Sequence, residues 1–219
     1  MSRLIQVTVG PLATAAANNI ALSQTPLAAG NLTLNGALVV GGVAVLDTPR
    51  RIIVTSAGND STVTFTAYGT DWSGQAQQIS VAGAAIGAAD FGMSFATITR
   101  IATSAATAAA VTVGTNGVAD SRPIFLDQFG FGPALVHVAV VGTANYTMRT
   151  SQDDPNGIFG FGVPFGLQNV SWLNDATLAA QAISNQVSLA AAPHLIQFVL
   201  NSGTGSIRAT VTQHASPSR

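Results

Sequence analysis

The sequence contains no lysine, no glutamate and no cysteine among its 219 residues. Every basic residue is an arginine and every acidic residue is an aspartate. Because lysine and glutamate are favourable helix formers and common on exposed helix faces, a chain without them lacks the usual material of solvent-facing helices. Alanine is abundant, but it stands beside threonine, glycine and serine, as in residues 102–110. The composition therefore favours β structure joined by loops of small residues.

Short segments of alternating polarity recur between turn signals, which is the pattern of antiparallel strands. In one such segment Val63, Phe65 and Ala67 are predicted to face one way, and Thr64 and Thr66 the other. The fold class predicted is all-β, an antiparallel β-sandwich of jelly-roll type. Further strands are predicted at 4–9, 51–55, 77–82, 95–101, 111–113, 135–141, 146–150, 186–189, 195–200 and 207–212.

Two short segments, one in each half of the chain, have similar sequences. Residues 78–82 (Gln-Ile-Ser-Val-Ala) are similar to residues 186–190 (Gln-Val-Ser-Leu-Ala), and a tryptophan, Trp72 or Trp172, precedes each segment. This predicts two related sandwich halves. The alternative is that any two antiparallel sandwiches share a similar succession of strands and turns. The expected organisation is an extended N-terminal arm with short strands at 1–48, a first sandwich half at 49–117, a Phe/Gly linker at 118–133, a second half at 134–214 with an insertion near 151–176, and a tail at 215–219.

The chain is poor in charge. Charged residues make up 8% of it, against about 25% in typical globular domains. A monomer normally keeps a charged surface for solubility, so other subunits are expected to cover much of this one. The alternative is an ordinary monomer whose surface is made of Thr, Ser, Asn and Gln.

Neither nucleic acid nor a membrane is predicted as a partner. The net charge of −1 does not provide the excess of basic residues that binds the phosphates of nucleic acid. The longest apolar run, 36–46, is shorter than the roughly 20 residues that a membrane-spanning helix needs. Gln6, Thr8 and Pro11 interrupt the start of the chain, which argues against a signal peptide.

No catalytic residue, cofactor or metal site is predicted. Without lysine and cysteine there is no Walker A lysine, no Schiff base and no thiol nucleophile. His137, His194 and His214 are not paired at metal-ligand spacing, and His137 is expected to be a hydrogen-bonded core or interface residue. The segment 92–96 lacks the second glycine of a nucleophile elbow. The pattern is typical of a protein that is not an enzyme.

Five of the ten phenylalanines lie in glycine-rich segments. Glycine allows tight backbone conformations, while each phenylalanine offers a large apolar area to bury. One interpretation is that these loops fold back under their own sandwich. The functional hypothesis is that they insert into a neighbouring subunit, with the interface residues Phe129, Phe131, Phe159, Phe161 and Phe165.

One block of the sequence resembles a known family. Residues 56–61 read Ser-Ala-Gly-Asn-Asp-Ser, residues 69–71 read Gly-Thr-Asp, and residues 111–115 read Val-Thr-Val-Gly-Thr. This order is similar to a recurrent block in head and tail structural proteins of tailed bacteriophages. In size and composition the whole chain resembles the β-sandwich cement, or decoration, proteins of short-tailed phages.

The resemblance implies a virion structural protein, made in the host cytoplasm and placed on the capsid exterior. It implies a homotrimer that bridges adjacent subunits of the major capsid protein, and it carries over no catalytic residue. Two alternatives stay open. One is a phage tail or receptor-binding component, which usually has more aromatic residues for glycan contact. The other is a secreted carbohydrate-binding module or hydrolase.

Overall fold

The computed structural model describes residues 2–127, 133–154, 158–159, 163–164 and 169–214, and it describes the side chains of all of these except 2, 3, 158, 159, 163, 164 and 214. Antiparallel strands dominate this part of the chain, which confirms the all-β prediction. The strands are β1 Ser2–Val9, β2 Ala21–Gln24, β3 Gly30–Asn31, β4 Val39–Val40, β5 Val43–Ser56, β6 Thr64–Thr70, β7 Ala76–Ala82, β8 Gly87–Thr103, β9 Val111–Asp120, β10 Ile124–Phe125, β11 Ala134–Val141, β12 Ala144–Ser151, β13 Ile158–Phe159, β14 Val163–Pro164, β15 Leu173–Asn174, β16 Asn185–Leu189, β17 Leu195–Gly203 and β18 Ser206–His214.

The chain divides into two compact units, each with its own core. Unit 1 combines Met1–Leu12 with Val118–Arg219, and unit 2 is Ala13–Gly117. Strand β9 belongs to unit 2 up to Gly117 and to unit 1 from Val118.

Unit 1 is a β-sandwich. One layer has the strand order β1-β18-β11-β16, and the other contains β15-β12-β17 with β10 paired to β17. Alternate residues of both layers point inward, because the side chains of a strand alternate between its two faces. The jelly-roll strand order remains a prediction. The core includes Val7, Val9, Val136, Val138, Tyr146, Met148, Leu178, Phe198, Leu200, Ile207, Ala209 and Val211.

Unit 2 is built on a sheet with the order β9-β5-β8-β6-β7, to which β2, β3 and β4 are added. The predicted alternation holds, since Val63, Phe65 and Ala67 are buried. Because the strand orders of the two units differ, the topology gives no support to the predicted duplication. The core of this unit includes Ile20, Leu32, Ala44, Ile52, Val54, Phe65, Phe91, Phe95, Ile98, Ile101, Val111 and Val113.

The structure differs from the predicted N-terminal arm at 1–48. Strand β1 pairs with β18 along its whole length, from Ser2↔His214 to Val9↔Ile207. Residues 13–48 belong to unit 2, where Ile20 and Leu32 are buried in the core. The backbone of residues 16–18 lies close to β9, where Gly114 leaves room for it.

The predicted Phe/Gly linker at 118–133 also differs from the structure. Ala119, Ile124 and Leu126 are buried in the core of unit 1, and β10 pairs with β17. The buried Ile124 and Leu126 stand on either side of the half-buried Phe125, as in a short strand. Within the predicted insertion near 151–176, β13 pairs with β14, and β15 pairs with β12.

Tyr146 makes the stability of unit 1 dependent on pH in the alkaline range. Burial raises the pKa of its phenol, which donates a hydrogen bond to the carbonyl of Ile183 at 3.4 Å. A group whose pKa is raised on folding contributes stability below its unfolded pKa of about 10, and that contribution is lost as the pH rises through the folded pKa. We therefore expect the free energy of unfolding to fall above about pH 10, and to fall less steeply in Tyr146→Phe. Denaturant unfolding at a series of pH values tests this, and equal slopes for the two proteins would contradict it.

Candidate interaction surface

The clearest candidate surface is the outer face of the four-stranded sheet in unit 1, meaning the side chains of β1, β18, β11 and β16 that point away from the core. Antiparallel register aligns these side chains in rows across the sheet. The rows are Leu4–Thr212–Leu135–Ser188, then Gln6–Thr210–His137–Gln186, then Thr8–Arg208–Ala139 and, at the end, Ser206–Val141.

This outer face is almost without charge. Among its described side chains, Arg208 is the only one that is charged at neutral pH with histidine neutral. Leu4 is 68% exposed and Leu135 is 44% exposed, and only Thr212 separates them in their row. A face that joins exposed leucines to short polar side chains can bury apolar area and form hydrogen bonds with a protein surface.

Large apolar side chains are exposed on both units. Some belong to the outer face of unit 1, and others are isolated. Single exposed apolar residues are normal, but with so few charges they leave a surface that is well suited to protein contacts. In unit 1 they are Leu4, Leu135, Val141, Leu173 and Ile183, and in unit 2 they are Leu22, Leu27, Val40, Val45, Trp72 and Ile86.

The predicted interface phenylalanines fall mainly outside the described part of the chain. Phe129, Phe131, Phe161 and Phe165 lie outside the described residues. The backbone of Phe159 is described, in β13, where it pairs with Val163 of β14. The role of these five residues therefore stays a prediction.

The two tryptophans have different surroundings. Trp72 is 41% exposed in the turn that precedes β7. Trp172 is half-buried, with the guanidinium of Arg149 4.8 Å from its ring centroid. Arg149 also bonds to Asp120 at 3.1 Å and to Gln197 at 2.6 and 2.9 Å. Arginine and tryptophan are common at protein contacts, but here their mutual stacking and the buried Asp120 indicate a fixed polar cluster of unit 1.

The histidines are placed apart from one another. His137 is exposed on the outer face, between Thr210 and Gln186, so it is not a core residue. His194 lies 3.6 Å from Asp154, and its ring meets Phe125 edge to face. The side chain of His214 is outside the described ones. Within the described ranges, no three acidic or histidine side chains form a group that could hold a metal ion.

The block at 56–61 forms a local structural unit. The side chain of Asn59 accepts hydrogen bonds from the backbone and hydroxyl of Ser61. Asp60 is fully buried and accepts a hydrogen bond from the amide of Ala108 at 2.7 Å. The amide of Ala57 donates to the carbonyl of Ala110 at 2.9 Å. The block thus fixes the β5–β6 turn against residues 105–110.

Sequence reasoning missed a buried arginine. Arg50 is 1% exposed, and its guanidinium bonds to the carbonyls of Ala13 and Asn116 at 2.9 and 2.6 Å and to Asp47 at 3.1 Å. Arginine is rarely buried unless it is paired. The only local signal was Pro49 beside it, since proline within a strand indicates an irregular pairing.

Comparisons with protein-family models, with curated proteins and with solved structures found no match. In the described part of the chain, no helix is long and apolar enough to cross a membrane. The outer face of unit 1 and the sequence block at 56–61 are therefore the features that indicate a function.

Proposed function

We propose that this chain is a non-enzymatic structural subunit of a virus particle, a cement or decoration protein that binds the outside of a phage capsid and bridges subunits of the major capsid protein. The observation that carries the proposal is the outer face of unit 1, where exposed leucines are aligned with uncharged polar side chains. The resemblance of residues 51–82 and 95–115 to phage structural proteins supports it, and implies that the chain assembles as a homotrimer.

The proposal has a physical basis in the low charge of the chain. A cement protein stabilises a particle by removing apolar surface from water, which contributes about 25 cal/mol per Å². A surface with few charges loses little hydration free energy when it is covered. Several copies that bind neighbouring capsid subunits also gain avidity without any new type of contact.

The test is addition of the purified chain to heads of the encoding phage that were assembled without it. We expect the chain to sediment with the heads, to saturate at a fixed ratio, and to raise the temperature at which the heads release DNA. Heads that neither bind nor become more stable would contradict the proposal. Binding to tails alone would identify a tail component, and hydrolysis or binding of a polysaccharide would identify the secreted alternative.

A second experiment tests the glycine-rich loops. Aromatic anchors that fill a partner's pocket lose about 2 kcal/mol or more on truncation, so Phe159→Ala/Phe161→Ala is expected to weaken binding to heads by at least about thirtyfold. Leu27→Ala is the matched control, because it removes an exposed apolar side chain of unit 2 and so lies outside the face of unit 1 that carries the proposal. If the double variant binds as well as the control, the loops are not the contact. If it unfolds, these rings belong to the chain's own core.

A further inference from the structure

Strand β1 forms one edge of the four-stranded sheet in unit 1. It pairs with β18 at all eight positions with no bulge, and among the described residues no strand pairs with its other edge. Every second residue of such an edge directs its amide and carbonyl outward, and these groups can pair with a strand from another chain.

The edge lacks the features that usually prevent such pairing. Proteins protect edge strands with lysine, proline, bulges or inward-pointing charges. From Leu4 to Val9 the strand contains none of these. Its outer face carries Leu4, Gln6 and Thr8, and the inward Ile5 is only half-buried while Val7 is buried.

We propose that this edge binds a second copy of the same chain, with the two β1 strands antiparallel about a two-fold axis. Such a pair is self-complementary in its main-chain hydrogen bonds, because both copies present the same donors and acceptors in opposite directions. It also brings no like charges together between residues 4 and 9, whereas like charges directly opposite each other are destabilising.

The two faces of the sheet restrict the register. Residues that lie opposite each other must share a face, because a shift by one residue would turn the core side chains outward. Pairing Gln6 with Gln6 of the second copy satisfies this and places Ile5 opposite Val7 of that copy. The half-buried Ile5 would then be covered, and two four-stranded layers would become one layer of eight strands.

The size of the contact predicts its strength. A strand of eight residues is about 27 Å long, and one such pairing covers less than the roughly 800 Å² per partner of a standard interface. The contact therefore belongs to the weak class and should depend on protein concentration. Being two-fold, it is separate from the three-fold assembly proposed above, so the purified chain should contain an even number of copies at high concentration.

Light scattering and sedimentation over a range of concentrations test the proposal. We expect Leu4→Lys/Gln6→Lys to halve the molar mass at high concentration and to weaken the association by about tenfold or more, because four positive charges would meet at the paired edges. The matched control is Thr210→Lys, which puts a charge in the same row as Gln6 but one strand further in. It should leave the mass unchanged.

Several results would overturn the proposal. One is a wild-type protein that stays at one or three copies. Another is a double variant that is folded by circular dichroism and keeps the full mass. A third is a Thr210→Lys control that dissociates as readily as the double variant. Hydrogen exchange provides a test that needs no variant. The amides of residues 4–9 that face away from β18 should exchange more slowly as the wild-type concentration rises, and rates independent of concentration would exclude the pairing.

Discussion

Replacing Arg50 by methionine is expected to lower the free energy of unfolding of unit 2 by about 3 kcal/mol or more. The guanidinium is buried and bonds to two carbonyls and one carboxylate, at 2.6 to 3.1 Å. Methionine fills a similar length but donates no hydrogen bond, so Ala13, Asn116 and Asp47 each lose this donor. Hydrogen bonds to charged groups contribute about 1.5–3 kcal/mol each, and burial of the apolar methionine offsets part of their loss.

Arg51→Met is the matched control for this change. It removes the same charge one residue further along β5, where the side chain of Arg51 is only half-buried. We expect less than about 1 kcal/mol of change there. Denaturant unfolding in a Trp172→Phe background lets the fluorescence of Trp72 report on unit 2. Equal stabilities of the two variants would show that the Arg50 hydrogen bonds contribute little.

The alternating segments of the sequence were sufficient to predict the fold class. In the two clearest alternating segments, the apolar residues of the alternation are the buried ones: Val63, Phe65 and Ala67 in one, and Ile207, Ala209 and Val211 in the other. A strand with one buried face constrains every second residue, so its pattern can be seen without knowledge of its partners. This explains why the β prediction held in both units.

The extents of the longest strands could not be predicted. Strand β5 continues through Pro49 and β8 through Gly92, both of which usually indicate strand ends. In the structure both residues lie where the register between β5 and β8 shifts. Pro49 lies between Val45 and Arg50, and Gly92 lies opposite Ile52. Gly92 has a φ of +74°, which a bulge can require. A bulge and a strand end have the same local sequence, and only the pairing distinguishes them.

The candidate surface depended on pairing between distant segments. Leu4 and Leu135 are more than a hundred residues apart in sequence, and their shared row is created by the register of β1 and β11 on β18. The burial of Arg50 depends likewise on Ala13 and Asn116. Composition suggested an assembly surface, but the sequence alone could not locate it because no local pattern encodes these contacts.

The largest effect expected from a small change is that of Gly114→Val in β9, with a loss of about 3 kcal/mol or more in the stability of unit 2. A Cβ atom at Gly114 would collide with the Ala16 carbonyl oxygen and lie 2.5 Å from the Ala17 carbonyl carbon and 2.7 Å from the Asn18 nitrogen. All three are backbone atoms, so no side chain can rotate away. The segment 16–18 would have to move.

That movement breaks specific hydrogen bonds. The amide of Thr115 donates to the Ala16 carbonyl and to the side chain of Asn19, each at 3.0 Å, and the Asn19 amide group bonds to the Thr115 hydroxyl at 2.8 Å. Overpacking alone typically costs about 1–3 kcal/mol, and each lost hydrogen bond adds about 1 kcal/mol. The close approach of this segment to β9 therefore requires glycine at position 114.

Gly117→Val is the matched control, in the same strand and with the same added side chain. No described atom lies within 4 Å of a Cβ built there. Valine favours extended backbone and reduces the freedom of the unfolded chain, so we expect the stability to stay equal or to rise by up to about 1 kcal/mol. The measurement is again denaturant unfolding followed through Trp72 in the Trp172→Phe background. If Gly114→Val unfolds at the same denaturant concentration as Gly117→Val, residues 16–18 can move away from β9 without loss, and the segment does not stabilise unit 2.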